Sequence, residues 1–122
     1  MKRKFIPTLA AALAVIFASN AALAHARLEK ADPAAGSMPT APVAHIDLYF
    51  SEALEPAFSR ATLSDEKGNP VASASSVDAG DPQHLVIVPT SPLTDGTFKV
   101  EWKAVSTDTH KTQGDFQFMV MP

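Results

Sequence analysis

The chain has 122 residues, with ten Lys and Arg against thirteen Asp and Glu, which is enough for one domain around one modest hydrophobic core. It contains no Cys, so disulfides, thiolate nucleophiles, iron–sulfur clusters and blue-copper sites of the His–Cys type are excluded. The acidic balance argues against binding to nucleic acid, because contact with a phosphate backbone requires a basic face.

The first 24 residues have the three parts of a secretory signal peptide. A basic start at Lys2-Arg3-Lys4 is followed by an apolar run over residues 5–17 and by a small-residue ending. The apolar run contains Pro7 and is shorter than the roughly 20 residues that span a bilayer, which argues against a membrane anchor. We therefore predict export to the periplasm.

Cleavage is predicted between Ala24 and His25, at the end of the small-residue pattern Ala22-Leu23-Ala24. The processed chain, residues 25–122, is expected to form one soluble domain. Loss of the three basic residues of the signal leaves seven Lys and Arg against thirteen Asp and Glu, a formal charge of −6.

The processed chain alternates apolar and polar residues in short segments separated by prolines and turn residues, as half-buried β-strands require. The predicted strands are 43–50, 60–64, 71–74, 84–88, 97–105 and 114–120. No segment of comparable length has a clear helical period, although residues 52–59 have room for one turn. About seven short strands with turns between them predict an antiparallel Greek-key β-sandwich or barrel.

Cleavage before His25 would give this residue a second metal ligand. Its free α-amine and the near ring nitrogen of its imidazole can close a chelate ring on one ion. This nitrogen pair favours Cu(II), which takes nitrogen ligands in a tetragonal plane and heads the divalent affinity order. The other common amino-terminal copper motif requires His as the third residue, and the third residue here is Arg27.

Further ligands for His25 are offered by the segment Ser106-Thr107-Asp108-Thr109-His110, between two predicted strands. Because Asp108 and His110 are two apart, their side chains leave an extended segment on the same side. One amine, two imidazoles and one carboxylate would suit Cu(II) and be acceptable to Ni(II) or Zn(II). Taken alone, the Asp-x-His spacing favours a plainer interpretation, in which Asp108 caps a turn and His110 is an ordinary exposed histidine.

The other polar candidates are not assigned to this site. His45 falls on the polar face of its predicted strand, and His84 begins a strand without a partner nearby in sequence. Glu52 directly follows a strand and has two interpretations. It is either a surface carboxylate or a residue that does not bind the metal itself but orients a histidine that does.

Four stretches of the processed chain together resemble the CopC family of periplasmic copper-binding proteins, and the most specific is 92–118. The other three are His25-Ala26-Arg27-Leu28, Asp32-Pro33-Ala34-Ala35-Gly36-Ser37 and Ile46-Asp47-Leu48-Tyr49-Phe50-Ser51-Glu52. The resemblance implies a Cu(II) site of His25, through amine and imidazole, with Asp108 and His110. It also implies a cupredoxin-like or immunoglobulin-like β-barrel, a role in copper resistance or supply, and a CopD-type inner-membrane protein as partner.

The chain departs from some members of that family in one loop. Those members carry a Met-rich loop with a His that binds Cu(I), where this chain has Asp65-Glu66-Lys67-Gly68-Asn69-Pro70. The remaining methionines of the processed chain, Met38, Met119 and Met121, do not form a thioether cluster in sequence. We therefore expect one Cu(II) ion per chain and no Cu(I) site.

Three functions are compatible with these residues. The first is a monomeric Cu(II) carrier or buffer that is not an enzyme. The alternative is a small copper oxidative enzyme that acts on a polysaccharide through a histidine brace, against which stand the small size and the inward pattern of Trp102. A third is a metal-free sandwich, in which His25 has no role.

Overall fold

The computed structural model describes residues 25–122, and the predicted signal peptide lies outside the described residues. Within that range no helix has the length and apolarity needed to cross a membrane. Eight β-strands follow one another along the described chain. They are β1 Leu28–Asp32, β2 Ile46–Phe50, β3 Arg60–Asp65, β4 Pro70–Val71, β5 Ser73–Val77, β6 His84–Pro89, β7 Gly96–Val105 and β8 Lys111–Val120.

The strands form two four-stranded sheets. The first has the order β1-β2-β6-β5 and the second the order β4-β3-β7-β8, and every pair of neighbours is antiparallel. The chain changes sheet between β2 and β3, between β4 and β5, and between β6 and β7. This arrangement confirms the predicted antiparallel β-sandwich.

One hydrophobic core lies between the sheets. In β7, every second side chain is buried, and these are Phe98, Val100, Trp102 and Ala104, as the alternation in the sequence predicts. The first sheet contributes Leu48 and Phe50 from β2. The ring of Phe50 meets that of Trp102 edge to face at 5.1 Å between centroids, and this contact joins the two sheets.

One predicted strand is wrong, one strand was missed, and two bounds differ by three residues: β2 begins at Ile46 and not at 43, and β8 begins at Lys111 and not at 114. The predicted strand 71–74 is wrong as one element, because the chain leaves the second sheet after Val71 and enters the first at Ser73. Ala72 is the crossing point, and its carbonyl accepts a hydrogen bond from Thr90 N. β1 was not predicted, because Leu28–Asp32 is an edge strand whose side chains are half-buried or exposed and show no clear alternation.

Residues 52–59 hold a turn and no helix. Phe58 N donates to the carbonyl of Glu55 at 3.1 Å, and Leu54 forms an isolated bridge with Ser106. This bridge ties the segment after β2 to the turn between β7 and β8, and so brings the two loops to the same end of the sandwich.

Candidate metal centre

The turn between β7 and β8 is compact and internally hydrogen-bonded. Ser106 N donates to the carbonyl of His110 at 3.0 Å, and Thr109 N donates to the carbonyl of Ser106 at 2.8 Å. Thr109 has a φ of 75°, in the left-handed region that tight turns require. Asp108 and His110 therefore lie in a tight turn. The sequence-based prediction assumed that this segment is extended, and that assumption is wrong.

The carboxylate of Asp108 lies between Ser106 and His110. One oxygen accepts a hydrogen bond from the hydroxyl of Ser106, and the other lies 3.1 Å from Nδ1 of His110. The Ser106 hydroxyl, and then His110, lower the pKa of Asp108 from its ordinary value, because both stabilise the ionised form. The ionised form of Asp108 is therefore favoured, and an ionised carboxylate can bind a cation.

His25 lies beside this turn. The centroids of the His25 and His110 rings are 4.4 Å apart, and the ring planes are inclined by 37°. Both rings stand at the end of the sandwich where β7 and β8 are joined. The structure therefore brings His25 next to His110, and His110 next to Asp108.

Hydrogen bonds from Ser51 and Thr112 hold the segment that carries His25. The hydroxyl of Ser51 donates to the carbonyl of His25 at 3.3 Å and accepts from Arg27 N at 2.8 Å. The hydroxyl of Thr112, in β8, donates to the carbonyl of Ala26 at 2.8 Å, and Ala26 is fully buried. These contacts fix the segment against both sheets, and no pattern in the sequence pointed to Ser51 or Thr112.

The side chains of His25, Asp108 and His110 do not converge on one point in the structure. In residues 25–122, no three His, Asp or Glu side chains already converge on a point where an ion could sit. In the unprocessed chain the nitrogen of His25 is also a peptide nitrogen, which cannot serve as an amine ligand. Glu52 is half-buried, and among the described contacts it has no hydrogen bond or ion pair with His25 or His110.

The two remaining histidines of the described chain form a separate contact group. His45 and His84 stand on the outer face of the first sheet and both contact the carboxylate of Asp47, at 2.9 Å and 2.8 Å. The sequence placed His45, Asp47 and Tyr49 on one polar face, and this is confirmed. It gave no indication that His84 would join them, because the contact crosses from β2 to β6.

Comparison with known protein families matches the chain to one family along nearly all of its described length. The family model described as the CopC domain matches residues 28–121. The chain is 42% identical to copper resistance protein C of Pseudomonas syringae pv. tomato, an alignment that covers 98% of this chain and 96% of the relative.

Two solved structures have the same fold. PcoC from Escherichia coli, described as a methionine-rich copper resistance protein, is 40% identical with a TM-score of 0.72, covering 80% of this chain and 99% of that one. CopC from Methylosinus trichosporium OB3b is 28% identical with a TM-score of 0.75, covering 80% and 95%. These relatives belong to a copper resistance family and not to an enzyme family. This confirms the expectation that the protein is not an enzyme. The chain belongs to the CopC family.

Proposed function

We propose that the exported and processed protein binds one Cu(II) ion in the periplasm through His25, Asp108 and His110. In this role it buffers or carries copper as part of copper resistance. The observation that carries the proposal is the 4.4 Å approach of the His25 and His110 rings beside an Asp108 carboxylate that contacts His110. Family membership supports the copper resistance role, and the donor set supports the choice of ion.

The proposed ligands are complementary in chemistry. Cleavage after Ala24 would free the amine of His25, which joins its own imidazole in a chelate. In the metal-free protein Nδ1 of His110 lies 3.1 Å from the carboxylate of Asp108, and a ring nitrogen of His110 can serve as ligand once the ion takes the place of this contact. The hydroxyl of Ser106 engages one oxygen of Asp108, so the second oxygen is the one that can turn from His110 to the ion.

The signal peptide is an integral part of this proposal. Residues 1–24 would direct export, and their removal would create one of the four ligands. A cut one residue earlier or later would leave His25 without the free amine or remove the residue altogether. The domain that binds copper is then residues 25–122.

The protein is proposed to hold Cu(II) alone. PcoC is described as methionine-rich, whereas this chain has four methionines including Met1. The hairpin loop between β3 and β4 contains no Met and no His. Met38, Met119 and Met121 are 61%, 39% and 45% exposed, and they lie on two neighbouring segments, because Met119 N donates to the carbonyl of Ser37 and Met121 N to that of Pro39. Thioether sulfur is the ligand that Cu(I) prefers, and the hairpin loop between β3 and β4 supplies none.

Delivery to a CopD-type inner-membrane protein is the proposed fate of the bound ion, with the processed chain acting as a monomer. The site stands at one end of the sandwich, on a turn and a chain terminus, where a second protein can approach it. A loop end also allows exchange of an ion without opening the core.

Electron paramagnetic resonance of the Cu(II) form, together with competition against a Cu(II) chelator, tests the site. One Gly added before His25 converts the amine into an amide and should change the spectrum and lower the affinity strongly. One Gly added after Pro122 is the matched control and should change neither. His110→Gln and Asp108→Asn should each weaken binding. The proposal fails if the extended amino terminus binds Cu(II) as tightly as the native one.

A further inference from the structure

A cleft lies on the outer face of the second sheet, at the end where β7 and β8 are joined. It has a volume of about 910 Å³ and is lined by residues of the turn before β3, of β7 and of β8. Thr109, from the turn that carries Asp108 and His110, also lines it. The cleft is therefore next to the candidate copper ligands.

The cleft is basic, although the domain around it is acidic. Arg60, Lys103 and Lys111 line it, and Glu55 is the one carboxylate among its lining residues. Residues 25–122 contain seven Lys and Arg against thirteen Asp and Glu, so the rest of this range has four against twelve. All three cations of the cleft are exposed. A ligand that recognises this cleft by charge is therefore an anion.

The three cations repel one another in the metal-free protein. Arg60 in β3 is paired directly with Lys103 in β7, and such partners on one face have Cβ atoms about 4.5 to 5.5 Å apart. Lys103 is paired in turn with Gln113 in β8, which places Lys111 on the adjoining diagonal. Among residues 25–122, none of the three cations forms an ion pair. Like charges so placed are destabilising, and a bound carboxylate would offset their repulsion.

An exposed aromatic ring lines the same cleft. Phe58 precedes β3, contributes to the lining and is 63% exposed. Aromatic side chains are enriched at protein interfaces, where they act as anchors between apolar groups. A ligand that fits the cleft would therefore combine carboxylates with an apolar side chain, as a peptide segment can.

The turn that carries Phe58 is fixed against the end of β7. Glu55 N donates to the carbonyl of Val105 at 2.7 Å, and Phe58 N donates to the carbonyl of Glu55 at 3.1 Å. The hydroxyl of Ser59 accepts from Val105 N at 3.0 Å and donates to the Val105 carbonyl at 3.3 Å. This side of the cleft is therefore formed before any ligand binds, which lowers the entropic cost of binding.

We propose that the cleft binds an extended acidic segment of a partner protein. Its carboxylates would contact the three cations, and an apolar side chain would contact Phe58. A peptide segment can fill a concave surface, whereas a flat bilayer cannot reach into it, and anionic lipids would be repelled by the acidic remainder of the domain. The bound partner would lie beside the turn between β7 and β8. Any part of it in copper transfer rests on the proposed function, whereas the docking itself does not.

Fluorescence anisotropy with a short labelled peptide of the repeat Asp-Glu-Leu tests the docking. The processed protein is used metal-free with a chelator present, so that copper cannot bridge protein and peptide. The wild type should bind this peptide and not its Asn-Gln-Leu counterpart. The affinity should fall as the salt concentration rises from about 0.01 M to about 0.15 M, because salt screens exposed charges. Amide NMR shifts should be largest in residues 55–60 and 103–113.

Charge reversal tests which cations contact the peptide. Lys103→Glu and Lys111→Glu should each lower the affinity by roughly 3- to 10-fold, because each exchanges a modest attraction for a modest repulsion. Phe58→Ala should lower it as well. The matched controls are Lys30→Glu, next to Tyr49 on the outer face of the first sheet, and Lys67→Glu, in the loop between β3 and β4. They change the net charge equally outside the cleft, and the affinity should stay within about twofold of the wild type.

Three results would overturn this proposal. The first is a wild type that does not bind the acidic peptide. The second is an equal loss in the cleft variants and the control variants, which would mean that net charge alone governs binding. The third is tighter binding to phosphatidylglycerol vesicles than to the peptide, with loss of that binding in Lys103→Glu, which would assign the cleft to a membrane surface.

Two controls keep the outcome interpretable. Circular dichroism melting checks that each variant is folded, and every substitution changes an exposed side chain outside the core. The N-terminal Gly extension, which removes the amine ligand of the proposed copper site, should leave peptide binding unchanged. Failure of the docking proposal can therefore be told apart from failure of the proposed copper site.

Discussion

The rings of His25 and His110 lie 4.4 Å apart, although His25 begins the described chain and His110 ends the turn before its last strand. Their approach depends on hydrogen bonds to the backbone on either side of His25. Thr112 binds the carbonyl of Ala26 from the second sheet, and Ser51 binds the carbonyl of His25 from the end of the first. These hydrogen bonds therefore hold the segment that begins at His25 beside the β7–β8 turn.

Loosening this anchor should lower copper affinity. Thr112→Val keeps the shape of the side chain and removes the 2.8 Å hydrogen bond to Ala26. We expect a loss of Cu(II) affinity of roughly 2- to 10-fold, the equivalent of one net hydrogen bond. Competition against a Cu(II) chelator measures it. Thr97→Val, a matched change at the opposite end of β7, should leave the affinity unchanged; an equal loss in both variants would argue against the anchor.

Ser106 should control the ionisation of Asp108. The pKa of Asp108 is lowered from 3.8, chiefly by the Ser106 hydroxyl and then by His110. Because the folded-state pKa is the lower one, the ionised carboxylate stabilises the fold above pH 3.8, and this contribution is lost as the pH falls through the folded-state value.

Ser106→Ala should therefore raise the pKa of Asp108 in the metal-free processed protein, as followed by carboxyl NMR titration. The pKa of Asp78, which is lowered by Gly80 N and His84, serves as the internal control and should not move. A pKa of Asp108 that stays low in Ser106→Ala would show that the Ser106 hydroxyl is not the main cause.

The sandwich was predictable where one face of a strand is buried. Alternation in β7 and β8 identified Phe98, Trp102 and Phe118 as inward residues, because burial on one side imposes a period of two. The same reasoning could not find β1, whose residues lie at a sheet edge, or the change of sheet at Ala72. In both places, the structure depends on pairing with strands that are distant in sequence, and the local sequence pattern does not indicate that pairing.

Contacts between polar side chains were also predictable only where the residues are close in sequence or follow a recognisable signal. Asp108 and His110 are close in sequence, so their contact could be anticipated, and His25 was identified by its position after a cleavage signal. Asp47 and His84 come together only because β2 pairs with β6 in one particular register. A contact of this kind depends on the fold, and from the sequence alone His84 had no partner.

The core should be sensitive to truncation of Phe118. This side chain is 2% exposed and packs against Phe98, with ring centroids 6.0 Å apart. Phe118→Ala removes a buried aromatic ring and should lower the free energy of unfolding by about 3 to 5 kcal/mol. Urea denaturation measures the change. Phe58→Ala, at a residue 63% exposed, is the matched control and should shift stability by less than about 0.5 kcal/mol.

Gly114 is required by the close approach of Trp102. The two residues are paired across β7 and β8, and a Cβ added at Gly114 would lie 2.7 Å from Cζ2 and 3.0 Å from Cε2 of the indole. Trp102 is 8% exposed and meets Phe50 edge to face, so the indole can move away only by disturbing the core.

Gly114→Ala should therefore cost about 1 to 3 kcal/mol of stability, as overpacking in a dense core does, and should lower Tm in a calorimetric scan. The matched control is Gly80→Ala, where the nearest atom to the added Cβ is the Asp78 carboxylate oxygen at 3.8 Å. That variant should melt close to the wild type. If Gly114→Ala melts no lower than Gly80→Ala, the indole of Trp102 has room to shift, and the tight packing inferred between β7 and β8 is wrong.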